Sequence, residues 1–396
     1  MSDGYKNTNW KWVESGDVLD IRDGTHDSPS RSDTGFPLIT SKNLVSGRIA
    51  FDDAYFISKK DHEAIKKRSG VQKGDILMPM IGTIGNPVLV ETDHEFSIKN
   101  VALFRRDGSS YDERFLLHLL RSQLITAQLN VSKRGGTQKF VSLGMLRSLK
   151  LPLPPIAEQR RIATILDKAD AIRRKRRQAI DLMNDFLRSV FLEMFGDKAK
   201  GRKEWQEVKL KDLLTFLTSG SRGWAKYYVP VGDTFLRIQN VGNNKLMIDD
   251  VAFVNAPVGA EAERTRVKAG DILLSITADL GRTAVIPKGL GTAYINQHLS
   301  ILRIQGAEPI YVSAFLASEE GQRQIRRLDR VGVKSGLNFD DIRSLKILLP
   351  PHELQTSYIR IYRKVCDMES SLAASDSEID AMRNALTYQL FHSQVT

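Results

Sequence analysis

From Ile162 onward the apolar residues recur in alternating steps of three and four: Ile162, Ile165, Ala169, Ile172, Ala179, Met183, Phe186 and Val190, with Arg176 as the one polar position in the stripe. That 3.5-residue period is the signature of a helix carrying a heptad seam. Pro154-Pro155 stops the structure before it, and Gly196 suits a C-terminal cap. A shift of 196 positions reproduces the stripe as Tyr358, Ile361, Val365, Met368, Leu372, Ser375, Ile379, Met382 and Leu386. Each segment predicts a helix of about 40 residues, roughly 60 Å long at 1.5 Å per residue. Shared length and register predict that the two helices pair with each other, antiparallel, as an intramolecular coiled coil.

The segments before these helices follow a different pattern. Short apolar runs punctuated by Gly, Asn and Asp predict strands at Pro37–Thr40, Asp75–Pro79, Val88–Val90 and Val101–Phe104. Their counterparts are Phe235–Ile238, Asp271–Ile276, Thr283–Ile286 and Leu299–Ile304, and helical patterns intervene near Asp112–Leu129 and Pro309–Leu328. The correspondence extends along the whole chain. Val71-Gln72-Lys73-Gly74-Asp75-Ile76-Leu77 returns as Val267-Lys268-Ala269-Gly270-Asp271-Ile272-Leu273. Arg147-Ser148-Leu149-Lys150 returns as Arg343-Ser344-Leu345-Lys346, and Leu153-Pro154-Pro155 with Gln159 as Leu349-Pro350-Pro351 with Gln355. At the same offset Gly85 pairs with Gly281 and Asn100 with Asn296. Upstream the offset drifts by one, so Lys42-Asn43 meets Gln239-Asn240.

The expected fold is therefore α+β: two tandem α/β domains, separated by two long antiparallel helices and related by a pseudo-two-fold axis. The boundaries read as 1–155 and 198–351 for the domains, and 156–197 and 352–396 for the helices. The 396-residue length suits such a multidomain chain. No apolar stretch approaches the ~18 residues of a spanning helix, and the segment from Met1 to Trp10 has no signal-like core. The single cysteine, Cys366, excludes an intramolecular disulfide framework and a multi-Cys zinc site. A cytoplasmic protein without a membrane partner is expected.

Charge sharpens the picture. The net charge is +11, which points to a polyanionic partner. Residues 1–155 carry +4, 156–196 carry +3, 197–351 carry +6 and 352–396 carry −2. Both domains are basic, and the two helices have opposite signs, as pairing partners would.

Catalytic constellations are missing from the sequence. It has no P-loop, no G-x-G-x-x-G after a strand and no metal-spaced pair among its seven histidines. Gly74-Asp75 and Gly270-Asp271 read as turns entering strands. The polar loops look instead like contacts to nucleic acid. In Lys133-Arg134-Gly135-Gly136-Thr137-Gln138-Lys139 the glycines admit a phosphate to the backbone, Lys133, Arg134 and Lys139 supply charge, and Thr137 and Gln138 suit base edges. The second-half loop offers Arg330, Lys334, Ser335 and Asn338. Further candidates at matching positions are Lys42, Asn43, Thr83, Lys99 and Asn100 in the first half, and Arg222, Arg237, Gln239, Asn240, Arg282, Asn296, Gln297 and His298 in the second. Asn and Gln suit adenine, Arg and Lys guanine.

The run Leu151-Pro152-Leu153-Pro154-Pro155-Ile156-Ala157-Glu158-Gln159-Arg160-Arg161-Ile162, with the helix after it, resembles the central conserved region of the specificity subunits of Type I restriction–modification systems. The Gly-Gly-Thr-Gln loop and the repeated Gly-Asp-Ile-Leu segment are similar to that family too. The second half departs from it: Pro351-His352-Glu353-Leu354-Gln355 lacks the Glu-Gln pair, and its loop lacks Thr-Gln. The resemblance implies two target recognition domains, each reading half of a bipartite double-stranded DNA target, with the coiled coil setting the spacer. It implies docking of two methyltransferase subunits, with translocase–nuclease subunits joining for cleavage. S-adenosylmethionine, ATP and Mg would serve those partners, and this chain would bind no cofactor or metal and catalyse nothing. A stand-alone two-headed DNA-binding protein, a DNA-modifying enzyme and a coiled-coil adaptor are the alternatives.

Overall fold

The computed structural model describes residues 10–45, 47–82, 85–106, 108, 110–131, 140–197, 199, 201–329 and 336–392. Its contacts divide the chain into two units, residues 1–177 with 373–396, and residues 178–372.

In the first unit a four-stranded antiparallel sheet runs in the order Leu19–Asp23, Val101–Arg106, Ile76–Pro79, Val88–Leu89. Alternation along these strands splits their side chains between two buried faces. Ile76, Met78, Ala102 and Phe104 pack under the helices Glu113–Leu120 and Gln123–Val131. Leu77, Val101 and Leu103 pack on the other face with Ile39, Val88 and Ile98. A smaller sheet, Tyr55–Ile57, Phe36–Ile39, Ser97–Ile98, covers that second face and contains one parallel pair. The helix Lys59–Ser69, capped by the Ser58 hydroxyl, packs beside it.

The second unit repeats this plan. Its main sheet is Leu214–Ser219, Leu299–Ile304, Ile272–Ser275, Thr283–Val285, again antiparallel. Its helices are Pro309–Ala317 and Glu319–Leu328. The smaller sheet gains a strand: Tyr228–Val229, Ala252–Val254, Asp233–Leu236, Ala293–Ile295. Only the last pair is parallel. Sheets this largely antiparallel make each domain α+β rather than alternating α/β.

The repeated motifs hold each unit together. Asp75, 3% exposed, accepts two hydrogen bonds from Arg105, at 2.9 and 2.6 Å, and one from the Gln72 amide. Asp271, 1% exposed, does the same with Arg303, both at 2.7 Å, and Lys268. The Gly-Asp pairs are thus turns pinned by buried ion pairs. Gln159 is fully buried. Its amide accepts from the Asp112 N–H and donates to the Ser110 and Pro154 carbonyls, at 2.8, 2.9 and 2.9 Å. Gln355 accepts from Glu308 N–H and donates to the Pro350 carbonyl. The glutamine of the Pro-Pro motif therefore ties a long helix to the loop before the domain's own helices. Gln128 and Gln324, also 196 apart, each clip both backbone groups of Lys150 and Lys346.

The long helices span Ile156–Phe195 and His352–His392. The first contributes Ile162, Ala163 and Leu166 to the first unit's core, and Phe191 and Phe195 to the second's. In the second unit Phe191 and Phe195 meet Tyr358 edge-on, at 5.5 and 5.7 Å between ring centroids. Ile165, Ala169, Met183, Val190, Ile361 and Leu372 are half-buried and Val365 is buried. The uniform apolar seam needs correction at Ile172, Phe186, Met368 and Met382, which are 45%, 52%, 55% and 67% exposed. Burial is deepest where a globular domain adds its own side chains, as at Ile162–Ala163 and Tyr358–Ile359, and shallow where none is added. The side chains of Ile379 and Leu386 lie outside the described residues.

Candidate nucleic-acid interface

In each unit one series of backbone hydrogen bonds gathers the predicted loops. In the first, Asn100 N–H donates to Thr25, Met80 to Asn100 and Val141 to Met80. Lys99 bridges Thr25 and donates its own N–H to Ile39. The turns at Thr25–Ser28, Thr40–Asn43, Met80–Gly82 and Lys99–Asn100, with Phe140 bridged to Ile81, therefore share one edge. In the second unit Ser221 bridges Asn296, Asn296 N–H donates to Leu236, Ile276 to His298 and Leu337 to Ile276. The same edge is built again.

Register corrects one pairing drawn from the sequence. Lys99, not Asn100, is the counterpart of Asn296, because each bridges the turn after the first sheet strand. Asn100 corresponds to His298, since each carbonyl receives the N–H at the end of the next strand. The offset is already 197 at Lys99, and Gln297, inserted between the two counterparts, raises it to 198 at Asn100. The turn after that strand does align as expected: Gly82 and Ala278 have φ of +81° and +66°, and Gly85 and Gly281 of +96° and +85°.

Lys42, Arg222 and Gln239 are exposed. Lys99 donates to the Ser28 hydroxyl. Asn100 takes φ +54° and offers Oδ1 to His26 at 2.9 Å. Thr277 and His298 Nδ1 are 2.6 Å apart, and Gln297 lies 3.1 Å from His298 Nε2. Arg237 and Gln239 both reach Asp250, and Arg282 pairs with Asp279. Asn296 accepts from the His298 amide.

Three expected base contacts have structural employment instead. Asn43 and Asn240 are 4% and 2% exposed and close capping boxes on short 3-10 turns. Asn43 accepts from Thr40 N–H and donates to the Ala50 carbonyl; Asn240 accepts from Arg237 N–H and donates to the Met247 and Asp250 carbonyls. Asn at a capping position satisfies backbone groups that a turn leaves open, so these amides are committed to the fold. Asn338 caps the helix Phe339–Ser344, although it stays exposed. Thr83, Lys133, Arg134, Gly136, Thr137, Gln138, Lys139, Arg330, Lys334 and Ser335 lie outside the described residues.

Sequence reasoning missed His26. Its ring nitrogens face Asn100 Oδ1 and Asp23 Oδ2, both at 2.9 Å. The hydrogen bond to Asn100, then that to Asp23, raises its pKa above the usual histidine value. Burial opposes ionisation of Asp23, but hydrogen bonds from Arg68 and His26 hold its carboxyl below the usual range. The edge thus gains a cation at lowered pH. The signal was available: His26 is the repeat counterpart of Arg222. Among the described residues no group of His, Cys, Asp and Glu could hold a metal ion, and no helix is long and apolar enough to cross a membrane.

Comparison with known proteins gives a consistent answer. The family model for the Type I restriction modification DNA specificity domain matches residues 7–182 and again 202–371. The putative type I restriction enzyme MjaX specificity subunit of Methanocaldococcus jannaschii is 24% identical over 387 residues, spanning 91% of this chain and 87% of that protein. The EcoBI specificity subunit of Escherichia coli is 21% identical, over 95% and 82%. Among solved structures, a chain from a study of complex assembly and conformational transition of the type I R-M system aligns with TM-score 0.57 over 99% of this chain and all of its own, at 20% identity. The S subunit from M. genitalium aligns with TM-score 0.55, over 98% and 97%, at 16% identity. With both halves matched by one domain model, and the doubled sheet-and-helix plan agreeing with it, the chain belongs to the family of Type I restriction–modification specificity subunits.

Proposed function

We propose that each unit reads one half of a bipartite double-stranded DNA target through the edge described above. The observation that carries this reading is the duplication of the edge: one backbone scaffold presents Lys42, Lys99 and His26 in one unit, and Gln239, Arg222 and His298 in the other. Phosphate contacts would position each domain and amide or guanidinium groups would read base edges. The basic charge of both domains supports it. The long helices would pair antiparallel as a coiled coil about a pseudo-two-fold axis, set the unread spacer, and dock two methyltransferase subunits. Translocase–nuclease subunits would join them. The chain is the recognition component rather than a catalytic one; S-adenosylmethionine, ATP and Mg would be used by partners, in the cytoplasm.

The test reconstitutes the chain with its methyltransferase subunit and maps methylated adenines. A split motif with a fixed gap is expected. Replacing Lys133, Arg134 and Lys139 with Ala should weaken binding to all sequences alike and flatten the salt dependence by about three phosphate contacts. A continuous, ungapped motif, or an unchanged salt slope, would refute the corresponding part.

A further inference from the structure

The repeat makes a direct comparison possible at the root of the domain helices. In the first unit His118 lies 2.9 Å from Asp167, and Arg121 donates to the Pro87 carbonyl at 2.9 and 3.1 Å with Asp170 at 3.7 Å. Its guanidinium also lies against Gly47, where an added Cβ would stand 3.2 Å from Nη2. In the second unit every one of these groups has changed. His118 becomes Ala314, Arg121 becomes Ala317, Asp167 becomes Arg363, Asp170 becomes Cys366 and Gly47 becomes Asn244.

Where those side chains are missing, the second unit holds a cavity of about 680 Å³ lined by Ala314, Ala317, Asn244, Tyr362, Cys366 and Glu369. That size lies within the range of small-molecule sites. Glu369 is 8% exposed; one carboxylate oxygen pairs with Lys245 at 2.7 Å, and Oε1 has no partner among the described residues. Asn244 Oδ1 is likewise buried and unpartnered. Asp181, Asp185 and Glu319 add carboxylates, against Lys245 and Arg188. Leu187 and Phe191 supply an apolar wall. Buried acceptors without donors are costly, and here they line a space that an arginine fills in the sister unit.

We propose that this cavity is a socket for an alkylguanidinium cation supplied from outside the chain, either a free small molecule or an arginine side chain of a bound protein. Glu369 Oε1 and Asn244 Oδ1 accept its N–H groups, the neighbouring carboxylates favour its charge, and the apolar wall takes its carbon stem. The socket is independent of the DNA-reading edge.

Cys366, the only cysteine in the chain, lines the cavity and reports its occupancy. The rate of its alkylation by iodoacetamide is measured on the full chain with N-acetyl-L-argininamide, agmatine or the neutral isostere N-acetyl-L-citrullinamide. The guanidinium probes should protect at concentrations at least about tenfold lower than citrulline, as charge-assisted bonds to a buried carboxylate require. Tighter agmatine points to a free ligand, tighter capped arginine to a protein side chain. Glu369→Gln and Asn244→Gly should each erase the preference; glycine keeps the positive φ of +55° at 244. Ala317→Arg should fill the socket from within, raise the melting temperature and abolish protection. Equal effects of citrulline and arginine, no protection by either, or a lower melting temperature in Ala317→Arg would overturn the proposal.

Discussion

Gln159→Ala tests how the Pro-Pro motif holds the domain to the long helix. The wild-type side chain is fully buried and makes three hydrogen bonds, all to backbone groups. Truncation strands the Asp112 N–H and two carbonyls, and the cavity admits at most partial rehydration. At about 1 kcal/mol for each bond lost, the cost is about 3 kcal/mol, felt where the segment before Glu113–Leu120 meets the start of the long helix. Gln355→Ala loses two such bonds and should cost about 2 kcal/mol. A melt reports the stability of a whole unit, so the loss at one junction is better read locally. Hydrogen exchange at the Asp112 and Glu308 amides reads each site locally. With 1.4 kcal/mol per tenfold change, the Asp112 amide should exchange roughly 100-fold faster in Gln159→Ala, and the Glu308 amide should not respond to it. Exchange at Asp112 unchanged within about threefold would refute the idea that this glutamine is a structural clamp.

Two further outcomes follow from charge. Asp271→Ala leaves Arg303 without its bidentate partner and the Lys268 N–H without an acceptor, and should destabilise the second unit by about 3 kcal/mol; urea unfolding followed through Trp205 and Trp224, with Trp10 and Trp12 replaced by Phe, checks this. His26 and His118 should pull stability in opposite directions with pH. The His26 pKa is raised, by Asn100 and then Asp23, so its contribution is full below the unfolded value near 6.5 and is lost as pH rises through the folded pKa. The His118 pKa is lowered, by burial against the pull of Asp167, so its contribution is full above that value and is lost as pH falls towards the folded pKa. Between pH 7.5 and 5.5, melting curves of His26→Gln should fall further than wild type, and those of His118→Gln less far.

Much of the fold was legible because the chain states it twice. A Gly-Asp pair or a Pro-Pro-x-x-x-Gln pattern is weak alone, but two copies at one offset mark positions whose chemistry the backbone needs. The strands at Lys11–Glu14 and Leu214–Ser219 were not legible, since their half-exposed residues lack a clear apolar period. Nor was the helix Lys59–Ser69, whose buried face includes His62 and Ser69 rather than apolar residues alone. The loops singled out in the sequence do converge on one backbone edge in each unit, but the use of each side chain there was not legible. Asn43 and Asn240 looked like readers because asparagine serves caps and bases with the same amide, and only burial tells the uses apart. His26 escaped notice because Asn100, one of its two partners, stands 74 positions away along the chain.

The first strand of each domain is hydrogen-bonded to its last. Lys11–Glu14 lies antiparallel to Lys150–Leu153, and Gln206–Lys209 to Lys346–Leu349. Paired antiparallel residues stand only about 5 Å apart, so the chain enters and leaves each module at neighbouring points. Everything between the two strands is, in effect, a long insertion into one small ribbon. A foreign module whose ends form the same ribbon, and whose loop offers a backbone N–H to Gln159 or Gln355, could be spliced in without rerouting the rest. Such an architecture would let a module's surface change wholesale while its junction with the helix is kept, and would make replacement of a whole module an easier step than remodelling one contact at a time.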